Sequence, residues 1–287
     1  MALSFSCKTH ESTSITVVDK TFSNSQNTFQ IQYDNESESV LPCDFYYPNH
    51  QTNDNLIELR QKYNFEQLIK GTKSDIEKAL ILLNWTHGLW RHNGVNEPKK
   101  SDALSILQEV EEGKRFRCVE FAIVLEAALN SIGIPARILG IYTKDVETSK
   151  CCAGHVVTEA YLPDLKKWIF LDAQMNYIPF LNGLPLNAVE YQNAIFNNEK
   201  EIELRSIKGN FSKTKTIRKI NWVTRYLYYL HINFNLPGVK TKCQVQGGLI
   251  LVPLNAKNPS VFQITEKLED CIYTVNVKDF YKTPIIE

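Results

Sequence analysis

Gly113-Lys114-Arg115-Phe116-Arg117-Cys118-Val119-Glu120-Phe121-Ala122 is the stretch whose reading decides the fold. A short polar, glycine-containing run gives way within it to an apolar helical pattern. Phe121, Val124, Leu125, Ala128, Leu129 and Ile132 recur at i, i+3 and i+4 and so share one helix face. Gly133 and Pro135 signal the end of that helix. Cys118 then falls at or near the first turn, where unpaired N–H groups and the helix dipole favour an anion. A thiol so placed is a stronger acid than a free one and can act as a nucleophile. Such a sulfur needs a base, and the base needs a group that orients it.

Downstream, residues 136–142 read as a buried strand, and 143–153 as a polar loop carrying Cys151 and Cys152. A hairpin follows, with strands at 155–161 and 167–172 and Pro163-Asp164 as its turn. A turn centred between Pro163 and Asp164 sets His155 directly opposite Asp172, on one side of the sheet and with Cβ atoms roughly 5 Å apart. A one-residue slip would send them to opposite faces. Imidazole titrates near neutrality and suits the task of base, and a carboxylate on its second nitrogen would fix the tautomer. Spacing alone does not bring Cys118 to His155.

Upstream, residues 56–63 form a short amphipathic helix. Ser74, with Glu77 three residues on, reads as the cap of a helix running to about Trp90, and Ser101-Asp102 as the cap of another over 102–111. Trp85 and Trp90 are expected in the core, and His87 and His92 read as ordinary surface or core histidines. Residues 1–54 form a β-rich, polar N-terminal extension with strands at 14–18 and 29–33. The core spans 55–198, with a short helix near 187–195. Residues 199–287 read as β-rich, with strands at 226–232, 248–252 and 271–277.

The bulk numbers narrow the partners. Lys+Arg and Asp+Glu are both 32, so the 287-residue chain has no net charge, which argues against nucleic acid or an anionic membrane as a general partner. The densest basic run, Lys213, Lys215, Arg218, Lys219 and Arg225, reads as a solvated face. Residues 1–8 lack the pattern of a secretory signal, and no run of about 18 apolar residues suggests a membrane span. Seven cysteines at irregular spacing fit free thiols in a reducing compartment, hence a cytoplasmic location. Asn84-Trp85-Thr86 matches a glycosylation sequon but lies inside a helical pattern. Adjacent Cys151 and Cys152 are poorly spaced to chelate one zinc ion, so neither metal nor cofactor is expected.

The sequence motifs supply the missing link. Gly113-x4-Cys118 with its apolar helix, Gly133-Ile134-Pro135-Ala136-Arg137, the strand from Gly154-His155, and Lys167-Trp168-Ile169-Phe170-Leu171-Asp172 occur in that order. This pattern resembles the core of the transglutaminase-like superfamily over about residues 73–180. The resemblance implies a papain-like α+β fold, a helix carrying Cys118 packed on an antiparallel sheet, and a Cys118, His155, Asp172 triad. Many members have proline after the aspartate where this chain has Ala173, a difference expected to affect backbone geometry more than chemistry. The superfamily includes transglutaminases, proteases, peptide N-glycanases and inactive members. The paired-cysteine zinc site frequent in peptide N-glycanases has no Cys-x-x-Cys counterpart here.

The expected function is therefore cysteine-dependent acyl transfer through a Cys118 thioester, on a protein, peptide or small amide substrate. The alternative is an inactive binding or scaffold protein of the same fold. Trp168 is expected under the site or along a substrate groove, and Glu120 and Gln174 as supporting polar groups.

Overall fold

A computed structural model of the chain describes residues 31–42, 44–243 and 245–287. The strand expected at 14–18 and the start of the one at 29–33 lie outside the described residues. Residues 31–33 are not strand, and the neighbouring Asp34 makes an isolated bridge to Asn276.

The helix announced by the opening stretch spans Cys118–Ser131. It stops where the glycine signal places the stop. Gly133 adopts φ +81°, and the N–H of Ile134 returns to the carbonyl of Leu129 at 3.0 Å, a left-handed C-terminal cap that glycine enters without a Cβ clash. The helix is not amphipathic, however: all fourteen residues are buried, including Glu120, Glu126 and Asn130. Helices Asp54–Lys62, Asp75–Gly88 and Ala103–Glu111 cover the side that faces away from the sheet. Their starts are capped by Asn53, Ser74 and Asp102, whose side chains accept from the N–H groups of Leu56, Glu77 and Ser105. The carboxylate of Glu77 reaches one residue further than a capping box requires, to the N–H of Lys73 at 2.7 Å. Trp90 stacks on Phe121 at 4.2 Å between centroids, joining the helical layer to the central helix.

Six strands form the main sheet, in the spatial order Cys271–Thr274, Gly248–Leu251, Tyr229–Asn233, Ala136–Tyr142, Gly154–Leu162, Lys167–Leu171. All neighbours are antiparallel except the first pair, which is parallel. Half of this sheet comes from beyond residue 198. Its two faces bury separate cores. Val156, Ala160, Ile169 and Leu171 face the helical layer. Leu139, Val157, Trp168 and Phe170 face the second core, with helix Ala188–Asn198 and the segment around Tyr226.

The hairpin register differs from the simplest expectation. Leu171 pairs with Thr158 and Lys167 with Leu162, so the turn is centred between Asp164 and Leu165. His155 and Asp172 are therefore not directly opposite. The two-residue shift preserves parity, so both stay on the same face as diagonal neighbours, within reach of an imidazole. Trp168 lies against the Arg137 guanidinium at 4.3 Å, and Arg137 bonds buried Glu159 at 2.7 Å; the indole belongs to the second core and is not among the residues lining the cleft at Cys118.

Two further expectations change. Residues 213–223 are a helix, Lys213–Val223, rather than part of a β-rich stretch. Cys243 is disulfide-bonded, whereas Cys118, Cys151 and Cys271 are free thiols, so the expectation of free thiols throughout does not hold. No helix among the described residues is long and apolar enough to cross a membrane.

Candidate active site

Cys118 is the first residue of the central helix and is 7% exposed. Its approach is pinned from both sides. Glu120 accepts from the Arg117 N–H at 2.9 Å and from the Arg117 guanidinium at 2.7 Å, while Glu97 binds the other end of that guanidinium at 2.5 Å. Asn93 N–H and Trp90 Nε1–H both donate to the carbonyl of Phe116, at 2.8 and 3.2 Å. Glu120, expected as a supporting group, thus fixes the helix entry and does not touch the sulfur's partners.

His155 stands at the start of its strand, buried, with Nε2 2.9 Å from Asp172 Oδ2. The second carboxylate oxygen accepts from the Met175 N–H at 2.9 Å, and Asp172 and Tyr177 exchange backbone hydrogen bonds. Asp172 is therefore held at both oxygens and at its backbone, with Ala173 where proline is common. Cys118 lines the same cleft as His155 and is near enough to favour the charged imidazole. With Nε2 committed to Asp172, Nδ1 is the ring nitrogen left for the thiol. Burial alone would push the imidazole down. The Asp172 charge and hydrogen bond, reinforced by Cys118, outweigh burial and push it up to about 10. The imidazolium is thus the favoured form at neutral pH.

All three expected residues come together, at the end of the sheet. Cys118 arrives on the helix that covers one face; His155 and Asp172 belong to the strand positions of the other face. The cleft between them has a volume of about 150 Å³. Its remaining wall was not anticipated. Trp222 sets its ring edge-on to His155 at 4.8 Å, and Tyr226 lies 6.1 Å from the same ring. Trp222 comes from helix Lys213–Val223, in a stretch read as β-rich, and Tyr226 from the short helical turn Thr224–Tyr226, where a strand was expected to start. The spacing of that helix's buried residues Thr216, Ile220 and Val223, four and three apart, was the available signal. His92, read as an ordinary histidine, also lines the cleft; burial and then the neighbouring His155 charge hold it below the usual histidine range. Gln174 lines the cleft as well, its Oε1 buried and without a partner among the described residues. His87, by contrast, lies outside the cleft with Nδ1 3.1 Å from the Ala173 carbonyl.

Sequence comparison joins this geometry to a family. Residues 64–173 match the Transglutaminase-like superfamily core, a span that ends just beyond Asp172. Residues 64–173 are a transglutaminase-like domain. No curated protein matches the chain. Among solved structures, a protein from Cytophaga hutchinsonii, provisionally assigned as a cysteine protease, aligns at 15% identity and a TM-score of 0.33 over 46% of this chain and 49% of its own. A provisionally assigned protease from Parabacteroides distasonis aligns at 16% identity and a TM-score of 0.32, over 57% of this chain and 28% of its own. A structure described as a TGase aligns at 15% identity and a TM-score of 0.30, over 42% of this chain and 30% of its own. This chain thus spans about half the length of the first of these structures and less than a third of the other two. The transglutaminase-like domain rests on the matched residues and on its own side-chain arrangement.

Proposed function

We propose that the protein is a cysteine-dependent acyl-transfer enzyme acting on a carboxamide or peptide carbonyl, with Cys118 as nucleophile, His155 as acid and base, and Asp172 as the group that orients His155. The observation that carries the reading is the position of His155: one ring nitrogen is 2.9 Å from a buried carboxylate and the other is free for Cys118.

The chemistry follows from that arrangement. His155 takes the Cys118 thiol proton on Nδ1, and Asp172 stabilises the resulting imidazolium. The sulfur attacks the carbonyl carbon, and the oxyanion is met by N–H groups at the start of the central helix, whose dipole favours negative charge there. His155 gives its proton to the leaving nitrogen, the C–N bond breaks, and a thioester remains on Cys118. Water or an amine then loses a proton to His155 and attacks the thioester, releasing acid or new amide and restoring the thiol. Hydrolysis is favoured over amine transfer, since no second site for an amine is identified beside the sulfur. The substrate class is protein, peptide or small amide.

The test is one reaction run two ways. Purified protein is incubated with a labelled protein mixture, with and without a fluorescent primary alkylamine. Release of new amino termini that stops in the Cys118→Ala variant supports hydrolysis. Incorporation of the amine supports transfer. Neither product, together with iodoacetamide labelling of Cys118 no faster than a free thiol, favours a binding protein that retains the fold.

A further inference from the structure

An oxyanion hole combines backbone N–H groups with side-chain donors, and the start of the central helix supplies the first kind. Few side chains in the cleft are placed to supply the second. Arg117 is engaged by Glu120 and Glu97. Trp222 and Tyr226 pack against the His155 ring, and Gln174 follows Asp172 by two residues. The Gln263 amide oxygen accepts from the Ala153 N–H at 2.9 Å, beside the start of the His155 strand. These four therefore line the side of the cleft that carries the base. In the tetrahedral intermediate the leaving nitrogen must face His155 to be protonated, so the oxygen on the same carbon points away from it, toward the helix start.

His92 is placed differently. It lines the cleft from the loop after helix Asp75–Gly88, and that loop is fastened to the approach to Cys118. Trp90 Nε1–H and the Asn93 N–H both donate to the Phe116 carbonyl, so His92 is bracketed by two residues held on one carbonyl, two positions before the sulfur. Asn93 Oδ1 stiffens the loop further, accepting from the N–H groups of Val95 and Asn96, both at 3.0 Å, and the Asn96 amide donates to the Arg115 carbonyl at 2.9 Å. Gly94 lines the same cleft, and a Cβ added there would stand 3.7 Å from His92 Cε1, which sets the imidazole over this loop at the cleft mouth. His92 is exposed there, and neither ring nitrogen has a hydrogen-bond partner among the described residues. What burial it has, and then the His155 charge, hold it below the usual histidine range against a smaller opposite pull from Asp172. The ring is thus neutral beside a charged His155, with one N–H to donate.

We infer that His92 is a further catalytic residue, the side-chain donor that meets the substrate oxyanion on the helix side of Cys118. The inference rests on the reaction proposed above. As the sulfur adds to the carbonyl carbon, the C=O π pair moves onto oxygen, and the His92 N–H donates a hydrogen bond to it. When the C–N bond breaks, that pair re-forms the carbonyl. His92 gains and loses no proton in either step, which leaves acid and base work to His155 alone.

Two reactions of the full-length protein test the role, because only one of them forms an oxyanion. Acylation of Cys118 by p-nitrophenyl acetate passes through a tetrahedral intermediate; alkylation by iodoacetamide displaces iodide and does not. His92→Ala is expected to slow the burst of nitrophenolate, measured above the Cys118→Ala background, by at least about thirtyfold, and to leave Cys118 alkylation, followed by peptide mapping, within about twofold. Unchanged alkylation also shows that the variant is folded around its sulfur. His92→Gln keeps an N–H but has no basic nitrogen, and is expected to acylate within about fivefold of wild type. Equal bursts in His92→Ala and wild type overturn the assignment. So does a normal burst followed by slower turnover, which places His92 in the water step, and so does a His92→Gln variant as slow as His92→Ala. A parallel loss of both reactions makes His92 structural and overturns it as well. If the wild-type protein itself gives no burst above the Cys118→Ala background, the reaction proposed above fails, and this assignment with it.

Discussion

Two histidines of the main sheet each have a cysteine neighbour, one from the central helix and one from the sheet itself, and their titration is shifted in opposite directions. His155 sits between Cys118 and Asp172. Across strand Ala136–Tyr142, His231 sits between Tyr142 and Cys271, with Nδ1 2.8 Å from the tyrosine hydroxyl and Nε2 4.0 Å from the sulfur. Both histidines are buried to the same extent, 2% exposed. Burial drives His231 down to about 4, while His155 is carried up to about 10 against the same penalty. Cys271 is pushed up to about 11, by burial and then by Asp270. Burial and a cysteine neighbour are common to both pairs; a buried carboxylate, itself held by backbone, belongs to one. The carboxylate beside His155, absent beside His231, is what holds the imidazole protonated against burial.

The largest effect expected from this difference lies at the sulfurs. Cys118→Ala should lower turnover by at least about 10⁴-fold, whereas Cys271→Ala should change it less than about twofold. Steady-state kinetics on any substrate found by amine incorporation or new-terminus release would decide it. Comparable losses in both variants would mean that the second pair takes part in the reaction.

Next in size is the carboxylate. Asp172→Asn keeps the shape but removes the charge that holds His155 protonated and in one tautomer, and should cost about 10²–10⁴-fold in kcat. Tyr142→Phe, the matching change at the other histidine, should leave kcat within about twofold. Circular dichroism of Asp172→Asn would separate lost chemistry from lost fold. A kcat for Asp172→Asn within threefold of wild type would remove Asp172 from the proposed mechanism.

These residues also mark how far the sequence could be read. Cys118 at a helix start, the stop at Gly133, and His155 and Asp172 on neighbouring strands were legible because each is a local signal: a period, a cap, a turn. The register was misjudged by two residues, since Pro163-Asp164 marks a turn without fixing its length, and the four residues 163–166 with Lys166 at φ +49° form it. Parity is insensitive to that error, so the pairing of His155 with Asp172 survived it. Trp222 and Tyr226 were not legible as site residues. They reach His155 from 67 and 71 residues away, and no local pattern encodes which distant segment closes a cleft. The full burial of the Cys118 helix was hidden for the same reason: three other helices cover its second side, so Glu126, pushed up to about 8 by burial, sits where an amphipathic reading expects solvent.

A smaller but cleaner contrast is chemical. At pH 7 a thiol with a pKa near 11 is ionised to about one part in 10⁴, roughly 300-fold less than an ordinary cysteine. Cys271 should therefore resist iodoacetamide at neutral pH and gain reactivity roughly tenfold per pH unit up to about 11. Peptide mapping after short pulses at pH 7, 8 and 9 would follow Cys118 and Cys271 in one sample. Cys271 labelling at pH 7 as fast as exposed Cys151 would show that its buried surroundings do not suppress the thiolate.

The smallest effect is on stability, and the two histidines give it opposite signs. His155 is raised, so its contribution is complete below the ordinary histidine value near 6.5 and is lost as pH rises from there through about 10. His231 is depressed. Between about 4 and 6.5 the unfolded chain binds a proton there that the folded chain refuses, so stability falls as pH drops through that window. Urea unfolding of the wild type should weaken on both sides of about pH 6.5. Asp172→Asn should flatten the alkaline side alone, because without the carboxylate burial no longer has an opponent at His155. His231→Gln should flatten part of the acid side alone, the carboxylates supplying the remainder. An alkaline loss that persists unchanged in Asp172→Asn would assign it to other groups and remove Asp172 as the group that holds His155 protonated.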